Sequence, residues 1–220
     1  MPISSDPVSK YLTALRPERS PVMQEMEALA EKDGIPIVHW ETGRLLAILV
    51  GSLQPKRVLE VGAAIGYSTL HMAETLGPDG RIVTIERDPV RIGQARDFWQ
   101  RAGVADHIDL VEGDAMEEIE KLDGPFDMIF LDASKGEYAE YLRMAEPKAS
   151  DHALLAIDNV LMSGSVAFGD GEQVPHDFGS HWSSESRTAA RELNTELMSS
   201  DRWLSAVLPI GDGVLLATQA

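Results

Sequence analysis

From Val58 onward, short β-branched apolar runs alternate with stretches of helical spacing. The first run, Val58-Leu59-Glu60-Val61, predicts a strand buried on both faces. Residues 81–86, 107–111, 126–131 and 152–157 predict further strands, with helices between them at 67–76, 88–102, 114–121 and 137–146. Asp88-Pro89 opens one helix with proline at its first position, and Ile92, Ala95, Phe98 and Trp99 supply its inner face. The alternation predicts a parallel sheet covered by helices on both faces, joined by right-handed crossovers.

The two ends depart from this pattern. Residues 1–7 read as a loose tail, and Pro7–Arg16 and Pro21–Lys32 as two helices punctuated by Pro17 and Pro21. The second sets Val22, Met26, Leu29 and Ala30 against Glu25, Glu27 and Glu31 on its other face. A helix over Glu41–Leu53 is apolar nearly all round (Leu45, Leu46, Ile48, Leu49, Val50), which predicts burial. Its opening, Glu41-Thr42-Gly43, is placed to fold over a ligand at the first strand. At the other end Trp203–Ile210 and Gly213–Thr218 predict an antiparallel pair turned by Gly211-Asp212. Before it, Gly164–Ser186 is long, polar and dotted with Phe168, His176, Phe178, His181 and Trp182. That segment reads as a lid over an acceptor pocket, the plain alternative being a floppy insertion.

Composition narrows the function. The 220 residues make one α/β domain, 1–220, with 1–40 as a helical appendage. The absence of cysteine excludes disulfides, thiolate metal sites and a cysteine nucleophile. Nineteen basic against 36 acidic residues give a formal charge of −17, which disfavours nucleic acid as a partner. No basic and apolar leader opens the chain, and Leu45–Val50 is too short to span a bilayer, so a cytoplasmic, membrane-free protein is expected.

Chemistry gathers at the predicted strand ends. Gly62 and Gly66 bracket a turn between the first strand and a helix, where backbone N–H groups suit an anion such as an amino-acid carboxylate. Glu60 sets an acceptor on the same rim, and Glu86 closes the next strand, where a ribose diol is gripped. The spacing is Gly-x-x-x-Gly, so the dinucleotide fingerprint is not met, and a glycine turn that merely packs helix on sheet is the bland reading. Asp132 and Lys135 follow the fourth strand, and Asp158-Asn159 the fifth. Asp158-Asn159 alone reads as a turn or cap. With Asp132 and Lys135 on the adjacent strand, the set reads as hard oxygen ligands for Mg²⁺ beside an amine. His39, His176 and His181 read as surface or hydrogen-bonded residues.

These stretches, with Tyr67-Ser68, Ile157-Asp158-Asn159 and Pro209-Ile210-Gly211-Asp212-Gly213, resemble the cation-dependent class I O-methyltransferases. That family holds catechol and caffeoyl-coenzyme A O-methyltransferases and their bacterial relatives. The resemblance covers residue 40 to the C-terminus except 164–186. It implies a Rossmann-like, seven-stranded sheet of order 3-2-1-4-5-7-6 with strand seven reversed, S-adenosyl-L-methionine and a divalent cation as cofactors, and a phenolic or vicinal-diol acceptor. Carried over by position, Thr42, Glu60, Gly62, Ala63, Ser68, Glu86, Asp114, Ala115 and Asp132 meet the cofactor. Asp132, Asp158 and Asn159 match the metal ligands and Lys135 the catalytic base. A phenol, with a pKa near ~10, needs such help to ionise at neutral pH. Lysine takes the proton only when its own pKa is depressed. The resemblance also implies a homodimer built partly on the N-terminal helices. Three other readings remain: a transfer-RNA hydroxyuridine methyltransferase of the same family, a non-catalytic S-adenosylmethionine binder, and a nicotinamide oxidoreductase.

Overall fold

The computed structural model describes residues 6–169, 171–179 and 181–219. Most of the tail, residues 1–5, lies outside the described residues, as do 170 and 180 within the expected lid. Seven strands form one sheet: β1 (Arg57–Val61), β2 (Arg81–Glu86), β3 (Ile108–Glu112), β4 (Phe126–Leu131), β5 (Ala149–Ile157), β6 (Trp203–Leu208) and β7 (Val214–Gln219). Their order is β3-β2-β1-β4-β5-β7-β6, and β7 alone runs against its neighbours. The order and the reversed strand agree with expectation.

Strand alternation divides the core into two layers. Leu59, Val61, Ile129, Leu131, Leu155 and Ile157 face α6 (Ala115–Lys121), α7 (Tyr138–Ala145) and α8 (Ser184–Met198). Val58, Met128, Phe130 and Ala156 face the other way, with α2 (Pro21–Asp33), α3 (Trp40–Leu53), α4 (Tyr67–Ala73) and α5 (Pro89–Ala102). α1 (Asp6–Ala14) precedes them. The Tyr67 hydroxyl donates to Glu27 Oε1 at 2.5 Å, and Arg19 Nη1 donates to Glu27 Oε2 at 2.6 Å, tying α2 to the start of α4.

Three expectations are corrected. α3 is half-buried: Leu46, Ala47 and Val50 are covered, whereas Ile48 is 63 % exposed, because the helix packs along a single stripe. The 164–186 segment is no single loop. It holds short 3-10 turns at Met162–Ala167 and His176–Phe178, then gives way to α8, which Ser183 caps and whose buried face is only Ala190, Leu193 and Leu197. The β6–β7 connection is looser than a two-residue hairpin, since Leu208 and Val214 are the last residues paired.

Gly62 shows how tightly the strand ends are packed. Its φ is +98°, and a Cβ there would lie 2.3 Å from the Asp132 carbonyl oxygen, a backbone atom that cannot swing aside. Gly62→Ala is therefore expected to cost about 2 kcal/mol or more in urea unfolding. An unchanged midpoint would mean that β1 and β4 do not approach this closely.

Candidate active site

A cavity of about 360 Å³ opens at the carboxyl edge of β1, β2 and β4. Parallel sheets place ligands at that edge. Gly62, Ala63, Ser68, Glu86, Asp114, Ala115, Asp132 and Lys135 all line it. So do Tyr67, Tyr141 and Trp182, together with Pro36, Ile37 and Val38. Tyr67 belongs to the stretch that carries the family resemblance and Trp182 to the segment read as a lid; Tyr141 and Pro36–Val38 had no sequence signal, because only tertiary packing brings them to the edge.

The turn after β1 is fastened from within. The N–H groups of Gly62 and Ala63 both donate to the Ile85 carbonyl, Ala64 donates to Glu86 Oε2 at 2.8 Å, and Gly66 to the Ala63 carbonyl. These four donors are thus spent inside the protein. Glu86 also accepts from the N–H groups of Arg87 and Asp88, at 2.9 Å each, so three backbone donors lock its carboxylate at the cavity wall. Asp114 caps α6 through Met116 N–H and pairs with Arg87 at 3.0 Å.

Glu60 lies beneath this wall, not on its rim. It shares a strand face with Val58, toward α4, and is fully buried. Its oxygens accept from the hydroxyls of Ser68 and Thr69 at 2.5 Å and Thr84 at 2.6 Å. Burial pushes its carboxyl up to about 7 against the pull of these three donors, and the Asp132 charge adds to the rise. Thr42 is likewise buried away from the cavity lining, its hydroxyl unpaired beneath Gly211.

The strand register assembles the acids. Leu131 is paired with Val61 on one side and Ile157 on the other, so Asp132 and Asp158 leave adjacent strands side by side. Asp132 accepts from Lys135 Nζ at 2.5 Å. Asp158 is 1 % exposed and its Oδ1 has no partner; burial, then the neighbouring Asp132, raises its pKa while Lys135 opposes the rise. Asn159 takes a left-handed φ of 61°, which asparagine tolerates, and its amide is directed at Asp212 Oδ2, 3.5 Å away. Asp212 also accepts from Ser163 at 2.7 Å and faces His39 at 3.5 Å. Among the described residues no group of three His, Cys, Asp or Glu is set to hold a metal. Two adjacent carboxylates, one with a buried unpaired oxygen, and an amide nearby nevertheless fit a hard divalent cation in chemistry.

The sheet order and edge cavity are those of a Rossmann-like α/β fold, which solved O-methyltransferases share. Residues 14–220 match the O-methyltransferase family model, and the chain belongs to that family. It is 39% identical over 144 residues to catechol O-methyltransferase of Mycobacterium tuberculosis, a match spanning 63% of this chain and 66% of that protein. Identity to caffeoyl-CoA O-methyltransferase of Stellaria longipes is 30% over 224 residues, covering 96% of this chain and 90% of that one. Among solved structures, the O-methyltransferase TomG from Streptomyces achromogenes in complex with SAM superposes with a TM-score of 0.82 at 27% identity, covering 97% and 96% of the two chains. The SAH-bound methyltransferase of Podospora anserina gives 0.85 at 27% identity, covering 98% and 94%. No helix among the described residues is long and apolar enough to cross a membrane.

The buried Glu60 sets a pH signature. Its unfolded carboxyl titrates near 4.5, so the native state keeps the proton longer and stability falls as pH rises from about 4.5 to about 7. In Glu60→Gln the difference in unfolding free energy between pH 5 and pH 8 is expected to shrink by up to roughly 2–3 kcal/mol. Identical pH dependence in both proteins would contradict this.

Proposed function

We propose that the protein transfers the methyl group of S-adenosylmethionine to one oxygen of a small catechol-like or other vicinal-diol acceptor, in a reaction that requires Mg²⁺ or a similar divalent cation. The observation that carries this reading is Lys135 paired with Asp132 at the lip of the cavity, with the Asp158 carboxyl buried beside them. The names of the catechol and caffeoyl-CoA relatives support the acceptor class, and the neighbours bound to SAM and SAH support the donor.

In this reading Gly62, Ala63 and Ser68 receive the methionine end of the donor, Glu86 the ribose diol, and Asp114 and Ala115 the adenine. Asp132 borders the donor as well as the cation. Glu60 serves from below by fixing Ser68, and Thr42 by packing behind the wall. Asp132, Asp158 and Asn159 hold the cation, whose charge favours the ionised form of an acceptor oxygen. Lys135, in its neutral form and released from Asp132, takes the acceptor's proton. The oxygen lone pair then forms the new C–O bond as the C–S bond breaks, leaving the neutral thioether. Alignment of O, C and S is the remaining requirement, where positioning is worth up to roughly 7–11 kcal/mol.

The test is turnover of catechol with S-adenosylmethionine and Mg²⁺, with and without EDTA. Chelation should abolish it and added Mg²⁺ restore it. Lys135→Ala should lower kcat about 100-fold or more while leaving donor affinity within a few-fold; Asp158→Ala should remove the response to metal. Equal loss of kcat and donor affinity in Lys135→Ala, or metal-independent turnover, would defeat the reading.

The same reading includes a homodimer. Val8, Tyr11, Leu12 and Leu15 are all exposed and follow one another at helical i, i+3, i+4, i+7 spacing. Light scattering should give twice the mass of one chain, and Tyr11→Glu with Leu15→Glu should halve it. A monomeric parent protein would refute the dimer.

A further inference from the structure

The turn between β6 and β7 carries Gly211-Asp212-Gly213, a stretch with no part in the chemistry assigned above. It is wedged between two other segments. On one side, a Cβ at Gly211 would lie 2.8 Å from Thr42 Oγ1 and 3.1 Å from His39 Cβ, at the start of α3. On the other, Val160 N–H donates to the Gly213 carbonyl and Leu161 N–H to the Asp212 carbonyl, both at 3.0 Å. A Cβ at Gly213 would come 2.5 Å from the Leu161 side chain. The turn is therefore locked against the segment that follows Asp158.

That segment bends sharply. Asn159, Met162 and Ser163 take left-handed φ values of 61°, 46° and 56°, a region that residues other than glycine keep only when their surroundings fix them. Asp212 fixes them through its side chain as well as its backbone. Its Oδ1 accepts from Ser163 Oγ at 2.7 Å, and its Oδ2 faces Asn159 Nδ2 and His39 Nε2 at 3.5 Å each. A carboxylate can only accept, whereas the two ends of an asparagine amide differ in kind. The end of Asn159 turned to Asp212 must be the NH₂ group, because a carbonyl there would set acceptor against acceptor. A hard cation makes the opposite demand and takes only the oxygen end.

We propose that Asp212 is a positioning residue for the cation site: by taking the Asn159 amide N–H, it leaves the carbonyl oxygen as the end offered to Mg²⁺. The inference rests on the functional reading in which Asp132, Asp158 and Asn159 hold the cation. Outer acceptors orient metal ligands in this way generally. Two plainer roles compete with it. Asp212 could add nothing but negative charge near the cation, or nothing but a clip that holds the turn.

A double-mutant cycle on the full-length protein separates the three roles. Mg²⁺ binding is read by calorimetry without acceptor. Asp212→Ala in the parent protein is expected to weaken it about tenfold or more. Asn159→Asp puts a carboxylate in place of the amide; its two oxygens are alike, so nothing is left to orient and Asp212 only repels it. In that background Asp212→Ala should leave Mg²⁺ affinity unchanged or raise it. A charge or a clip gives a similar loss in both backgrounds. Should Asp212→Ala fail to fold, Asp212→Asn replaces it in the cycle. It should weaken Mg²⁺ binding in the parent, where a neutral carbonyl accepts less well. Beside Asn159→Asp it should strengthen binding, because its amide then donates to the new carboxylate. Equal losses in both backgrounds, or no loss in the parent, overturn the inference alone. A parent protein that binds no Mg²⁺ overturns the functional reading along with it.

Discussion

The site depends on one constraint, the in-register parallel pairing of β1, β4 and β5. Val61, Leu131 and Ile157 lie abreast, Asp132 N–H donates to the Val61 carbonyl at 2.9 Å, and Asp158 N–H to that of Leu131 at 3.1 Å. Each chain then leaves the sheet at the same height, so Gly62, Asp132 and Asp158 emerge as neighbours. Apolar packing above and below enforces the register. A slip of one residue would turn every buried side chain of a strand to the opposite layer. The polar chemistry is thus held in place by Leu59, Leu131, Leu155 and their like, none of which lines the cavity.

Behind that edge the protein uses buried acids as internal struts. Glu60 gathers three hydroxyls from β2 and α4, while Glu86 gathers three backbone N–H groups from the turns after β1 and β2. Each links segments far apart in sequence through short, charge-assisted bonds in a low-dielectric setting. The cavity wall is accordingly stiffer than a glycine turn suggests.

The sheet was legible in the sequence because its signals are local. Unbroken β-branched runs mark buried parallel strands, and Asp132, Lys135, Asp158 and Asn159 stand immediately after two of them. What escaped depends on direction and on distant partners. Glu60 reads as a rim residue until strand parity turns it toward α4. Helix α8 carries too few apolar positions to stand out between polar neighbours, and Ile48 looks like core although its stripe lies elsewhere. Pro36–Val38 reach the cavity only because a chain segment remote in sequence is folded over it.

Tyr67 has a last consequence. Its ring forms part of the cavity wall, yet its hydroxyl is anchored outside that wall, on the Glu27 carboxylate that Arg16 and Arg19 also hold. The N-terminal helices are therefore a mould as much as an attachment. A change confined to this leading segment would thus reshape the chamber while leaving every strand-end residue in place.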